Sequence, residues 1–178
     1  MNIFFLDKDP SVCAEMHCDK HVSKMIIEYA QMLSTAHRVL DQDVNEKATV
    51  PYIDKLYKKT HVNHPSTVWV RSNWKNYIWT YQLFNALCNQ YTIRYGKKHL
   101  TDVKLSFLLI PSPYNISKED AMGEMTPPPL CMPDEYKCYN HVEAYRNFYN
   151  GEKARFAKWD KLGKVPYWFN TFPFCIGH

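Results

Sequence analysis

The hydrophobic positions fall at helical rather than strand intervals along most of the chain. Val22, Met25, Ile26, Tyr29, Leu33, Ala36 and Leu40 recur every three or four residues, so a helix from Asp19 onward carries one buried stripe. Asp9-Pro10 supplies an N-cap followed by proline at the first helical position, so a helix is expected to start near Pro10. Before it, Asn2 to Leu6 reads as a short strand or extended segment. Asn63-His64-Pro65 is a second capped start. Trp74, Tyr77, Ile78, Tyr81, Phe84, Cys88 and Tyr91 then follow at helical spacing to Gly96, which predicts one long helix with an aromatic face.

Residues 41–60 are polar and read as a connection with one short turn around Tyr52 to Leu56. Thr101 to Ile110 predicts a further helix stopped by Pro111. Pro111, Pro113, Pro127, Pro128, Pro129 and Pro133 make the stretch 111–133 a long loop. Asn140 caps a last helix with Val142, Tyr145, Tyr149, Phe156 and Trp159 inward, and an aromatic tail from Val165 to Phe174 is expected to lie across the core. The expected fold is mainly α: a compact helical bundle forming one domain over residues 1–178.

Composition agrees with a folded chain, since 46% of the 178 residues are hydrophobic and only five are glycine. A formal charge of +4 permits a nucleic acid or phosphorylated partner without demanding one. No stretch approaches the ~20 apolar residues of a membrane span. Six scattered cysteines and no secretory leader predict a cytoplasmic protein, the host cytoplasm if the chain is phage-encoded. Without a P-loop or a dinucleotide-binding glycine pattern, no cofactor is expected.

Beside the apolar stripe, a helical wheel gathers His17, His21, Lys24, Glu28, Gln31 and Thr35 on a second face. This wall is either the solvated side of the helix or a chemically equipped surface. Glu28 lies at its apolar border, where partial burial suits acid–base work. Cys13, His17 and His21 stand at i, i+4 and i+8 and form an alternative metal set, with Cys18, His61 and His64 as further donors and Asp19 assisting. No C-x-x-C or H-E-x-x-H pattern closes that set. The stretch "HVNHPSTVWV" puts His61 and His64 beside a helix start, as caps or as anion contacts. Lys20, Arg71, Lys75 and Arg94 are candidate phosphate contacts, as are the basic groups Lys55-Lys58-Lys59 and Lys153-Arg155-Lys158 if they converge on the wall.

The order of "KMIIEYAQML", "YKKTHVNHPSTVW" and "YTIRYGKKH" over residues 15–100 resembles that of the small pyrimidine-dimer DNA glycosylases of the phage endonuclease V type and their bacterial relatives. The resemblance implies a compact helical DNA glycosylase, with possible lyase activity, in which Glu28 stabilises the cationic sugar and the α-amino group of Met1 is the nucleophile. Groups of that kind titrate near 7.7–8.0, which leaves a neutral fraction at pH 7. The phage enzyme exposes a threonine after losing its methionine, whereas Asn2 follows Met1 here. Lys24, or a water activated by Glu28, is the alternative attacking group, with His21 as nearby support. Two other functions remain open from the residues: a non-catalytic nucleotide or nucleic-acid binder, and a histidine-based metal-dependent phosphohydrolase or nuclease.

Overall fold

A computed structural model of the chain describes residues 1–42, 51–119 and 124–170. Among these, six α-helices and no strand are present: α1 (Pro10–Met16), α2 (Asp19–His37), α3 (Pro65–Ser72), α4 (Trp74–Tyr95), α5 (Leu100–Leu105) and α6 (His141–Phe148). The mainly α expectation holds. No helix among the described residues is long and apolar enough to cross a membrane.

α1 begins as its sequence dictates, with the Asp9 carboxylate accepting from the backbone N–H groups of Ser11 and Val12. α2 lies at the centre, packed against α3, α4 and α5, while α1 packs on α4. Its stripe is buried as expected through Ala36, in the same core as Tyr77, Leu83, Phe84 and Leu87 of α4. Each Val, Met, Ile, Leu or Phe among these contributes about 1.5–3 kcal/mol on leaving water. A π-helical turn, Arg38–Gln42, continues α2. There the buried Asp41 carboxylate accepts from the N–H groups of Tyr114 and Asn115, tying the proline-rich loop to the end of the helix.

Three helices differ from expectation, one of them α6, which ends at Phe148 and leaves Phe156 and Trp159 beyond it. The long helix breaks at Asn73, whose backbone is extended (φ −153°, ψ 165°) and whose side chain caps α4 by accepting from the Asn76 N–H. The buried Asn76 amide stabilises the break, donating to the carbonyl oxygen of Trp69 and to the hydroxyls of Ser72 and Thr126. α5 ends at Leu105, well short of Ile110. The Tyr77 hydroxyl there donates to the carbonyl oxygen of Leu109, so this group needs no helical partner.

The remaining punctuation follows the sequence. Gly96 ends α4 in the left-handed conformation (φ 68°), Asn140 caps α6, and Ile53–Lys55 forms the expected short turn. Trp159 is buried and donates to the carbonyl oxygen of Met16, while Val142 and Phe156 are half-buried. Of the aromatic tail, Trp168 is buried and Val165 and Tyr167 are exposed; residues 171–174 lie outside the described residues.

Candidate functional site

The site is built on the amino-terminal segment. Ile3, Phe4, Phe5 and Leu6 are all buried, so the segment is gripped on every side instead of alternating in and out like an edge strand. The Phe4 ring stacks on His21 (4.5 Å between centroids) and its N–H donates to the Tyr29 hydroxyl. Asn2 is held more tightly still. Its amide donates to the carbonyl oxygen of Cys131, and its Oδ1 accepts from the Tyr145 hydroxyl, which also meets the carbonyl oxygen of Pro129. The loop, α6 and the chain's first residues thus close on one another.

This clamp fixes Met1. Its sulfur accepts from the Thr67 hydroxyl of α3, and its α-amino group lies 3.9 Å from Oε2 of Glu28. The other carboxylate oxygen of Glu28 is 3.3 Å from Lys24 Nζ one helical turn earlier. Lys24 is exposed, whereas the Glu28 side chain retains 16% of its accessible surface and that of Met1 only 2%. His64 borders the same group. Burial first, and then the positive charges of the Met1 amine and His61, hold its imidazole below the usual 6.5, with Glu28 opposing. His64 Nδ1 accepts from the Ser66 N–H at the start of α3, which leaves Nε2 to carry the proton of the neutral ring.

Met1, Lys24, Glu28 and His64 therefore come together, from positions up to 63 residues apart in this chain. His61 is exposed beside them, in the left-handed region (φ 47°), its Nδ1 against the Thr60 hydroxyl. Thr60 in turn is hydrogen-bonded to Thr35 of α2, so the loop bearing the histidines is anchored to the helix bearing Glu28.

The polar wall drawn on the wheel is not one solvated face. His17 is not in α2: the chain is extended at His17 and Cys18, and the residue caps the end of α1. It is buried, Nδ1 donating to the Cys13 carbonyl oxygen and Nε2 accepting from Tyr29, and burial together with Arg94 lowers its pKa to about 4. His21 is buried among Phe4, Tyr149 and Phe156, with Nδ1 accepting from the Tyr149 hydroxyl. Burial, then the charges of His17, Lys153, Lys24 and Lys20, lower its pKa to about 2. A ring so hard to protonate braces Phe4 more readily than it acts as an acid. Thr35 is buried as well.

The alternative metal set does not converge. Cys13 donates its thiol to the Phe4 carbonyl oxygen, with its pKa pushed up to about 12 by burial, while both His17 nitrogens are occupied. Among the described residues no group of three histidine, cysteine or acidic side chains is arranged to hold a metal ion.

Two candidate phosphate contacts are spent internally. Arg94 is buried, donating to the carbonyl oxygens of His17 and Glu15 and to the Asp19 carboxylate, so it joins α1 to α2 instead of facing a ligand. Arg71 donates to the Val62 carbonyl oxygen and braces the loop before His64. Lys75 lies over Trp74 and lines a separate cavity of about 960 Å³ with Lys8, Trp79 and His141. None of Met1, Glu28 or His64 lines that cavity. Lys20 is exposed on α2 and lies over Phe156.

Thr67 and Cys131 carried no signal in the sequence, and Asn2 and Tyr145, read there as the start of the extended segment and as an inward helix position, were not expected to meet. The contacts Asn2–Cys131, Thr67–Met1 and Tyr145–Asn2 span 66 to 143 residues, a separation that leaves no periodic signal. Comparison with protein-family models, with curated proteins and with solved structures finds no match to this chain.

Proposed function

We propose that the protein is a DNA N-glycosylase, with an associated lyase step, acting on a damaged or modified base extruded from the duplex. The observation that carries this reading is the approach of the Met1 α-amino group to within 3.9 Å of the Glu28 carboxylate. In the proposed reaction the neutral amine attacks C1′ of the deoxyribose, and the glycosidic electron pair leaves with the base. The carboxylate stabilises the positive charge that develops on the sugar. The aminium proton passes to the departing base, and the nitrogen lone pair then breaks the C1′–O4′ bond as O4′ takes a proton from solvent, which gives a protonated imine. Removal of a C2′ proton then expels the 3′ phosphate. Lys24 and His64 flank the site as cationic or hydrogen-bonding groups for the sugar-phosphate backbone.

The test combines base release, followed by mass spectrometry on duplexes carrying pyrimidine dimers, oxidised bases or uracil, with borohydride trapping on abasic DNA. The expected result is a released base, absent with Glu28→Gln, and an adduct that peptide mapping assigns to Met1. Base release without an adduct replaces the amine by a Glu28-activated water. No release from any duplex, or full release by Glu28→Gln, overturns the assignment.

A second reading, a non-catalytic nucleotide binder, is favoured by the cavity beside Lys75, where Phe5, Trp79 and Tyr139 offer aromatic surfaces near Lys8. It expects nucleotide binding abolished by Trp79→Ala with the ligand recovered unchanged.

A further inference from the structure

We propose that Lys20, Lys153 and Arg155, continuing from Lys24, form a phosphate-binding track that carries one strand of duplex DNA past Glu28 toward the N-terminal end of α2. The identity of the polyanion rests on the glycosylase reading above. The track itself is assembled from two elements. Lys20 and Lys24 stand one turn apart on α2, while a π-helical turn after α6, Tyr149–Lys153, delivers Lys153 and then Arg155 to the same place.

The cations are steadied by aromatic rings instead of carboxylates. Lys20 Nζ lies 4.8 Å and Arg155 Cζ 5.7 Å from the centre of the same Phe156 ring, and Lys153 Nζ lies 4.5 Å from that of Phe148. These rings are continuous with the buried cluster, since Phe156 meets the edge of His21 and Phe148 stacks on Phe4. A π face holds a cation in position without neutralising it. Among the described residues, Lys20, Lys153 and Arg155 enter no ion pair. Mutual repulsion is felt at Lys153, whose ammonium is held below its usual pKa by burial and by Lys24 and Arg155, against the pull of Glu152. Glu152 is engaged by the Tyr136 hydroxyl.

Like charges crowded in this way favour a ligand with several anionic groups at regular spacing. From Lys20 to Glu28 the helix advances ~12 Å, a distance spanned by about three to four nucleotides of one strand at 3.4 Å each. An anionic membrane also offers repeated charge, but the apolar groups here lie beneath the cations, which leaves nothing to insert between lipids.

The experiment compares the whole protein with the double variant Lys153→Gln/Arg155→Gln, using a fluorescent duplex that contains a stable abasic-site analogue. Affinity is measured from low to moderate salt. The slope of log K against log salt is expected to become shallower by about 1.8 in the variant, at ~0.9 for each lost phosphate contact. The charge-keeping pair Lys153→Arg/Arg155→Lys is expected to retain the slope, which separates charge from folding. An unchanged slope in the double variant overturns the track and leaves the glycosylase reading untouched. A shallower slope without base release from any duplex supports the track and removes the glycosylase. No duplex binding by the unaltered protein, or binding only to phosphatidylserine vesicles, overturns both.

Discussion

The α-amino group of Met1 and the carboxylate of Glu28 face each other across 3.9 Å, although one ends a buried extended segment and the other lies mid-helix. Glu28→Gln removes the charge while keeping the shape. Loss of the pair with exposed Lys24 is expected to cost the fold no more than about 1 kcal/mol. Base release is expected to fall by about 10²–10⁴-fold, the usual span for a positioned acid–base group. Single-turnover assays beside thermal melts separate the two effects. A rate loss matched by an equal loss of folded protein would count against a chemical role.

Tyr145→Phe tests the clamp that positions the amine. The Tyr145 hydroxyl lies 2.9 Å from Asn2 Oδ1 and 2.6 Å from the Pro129 carbonyl oxygen, and its loss leaves polar groups without their partner. A cost of about 1–3 kcal/mol in stability is expected. If the clamp sets the distance from amine to sugar, borohydride trapping falls further than stability alone explains, toward about 100-fold for a displacement near 1 Å. Normal trapping by a destabilised Tyr145→Phe protein would confine the residue to a structural role.

Much of the architecture was legible because it is local. The α2 stripe, the Asp9 and Asn140 caps and the left-handed Gly96 are all encoded within a few residues, and each is present. The break at Asn73 was not legible, since it depends on Asn76 meeting Thr126 across 50 residues. The histidines show the same limit more sharply. A wheel places His21 beside Lys24 and Glu28, but Phe4 and Tyr149, which cover it, arrive from the two ends of the chain. Likewise, Arg94 looks basic and available until Glu15, His17 and Asp19 close around it. The nearness of Met1 to Glu28 has no periodic signature, and only the family resemblance directed attention to that pair.

Three histidines are buried, His17, His21 and His37, and burial holds all three below their ordinary pKa; His17 and His21 make the acid dependence explicit. In the unfolded chain each takes up a proton near 6.5, whereas in the fold His17 does so near 4 and His21 near 2. Below 6.5 the unfolded state therefore binds more protons, and stability falls as pH falls, down to those lower values. The limiting slope is about 1.4 kcal/mol per pH unit for each histidine. Urea melts at pH 7, 6 and 5 should show a progressive fall, and His17→Gln/His21→Gln should show a smaller one despite a lower starting stability. Equal slopes in the two proteins would mean that other groups govern the acid limb.

Arg94 is expected to be the most sensitive cation for folding and among the least sensitive for DNA affinity. Its guanidinium is fully buried, caps the end of α1 through the carbonyl oxygens of Glu15 and His17, and meets Asp19 at 3.1 Å in the first turn of α2. Arg94→Ala strands these acceptors and removes the Asp19 partner, at an expected cost of about 3–5 kcal/mol. Arg94→Lys keeps the charge but not the fork that reaches three acceptors, so it should recover only part of the loss. Low-temperature duplex titrations of the folded Arg94→Lys protein should give the same salt slope as the unaltered chain. A shallower slope would show that Arg94 reaches DNA after all, which requires α1 and α2 to separate at the His17–Cys18 junction.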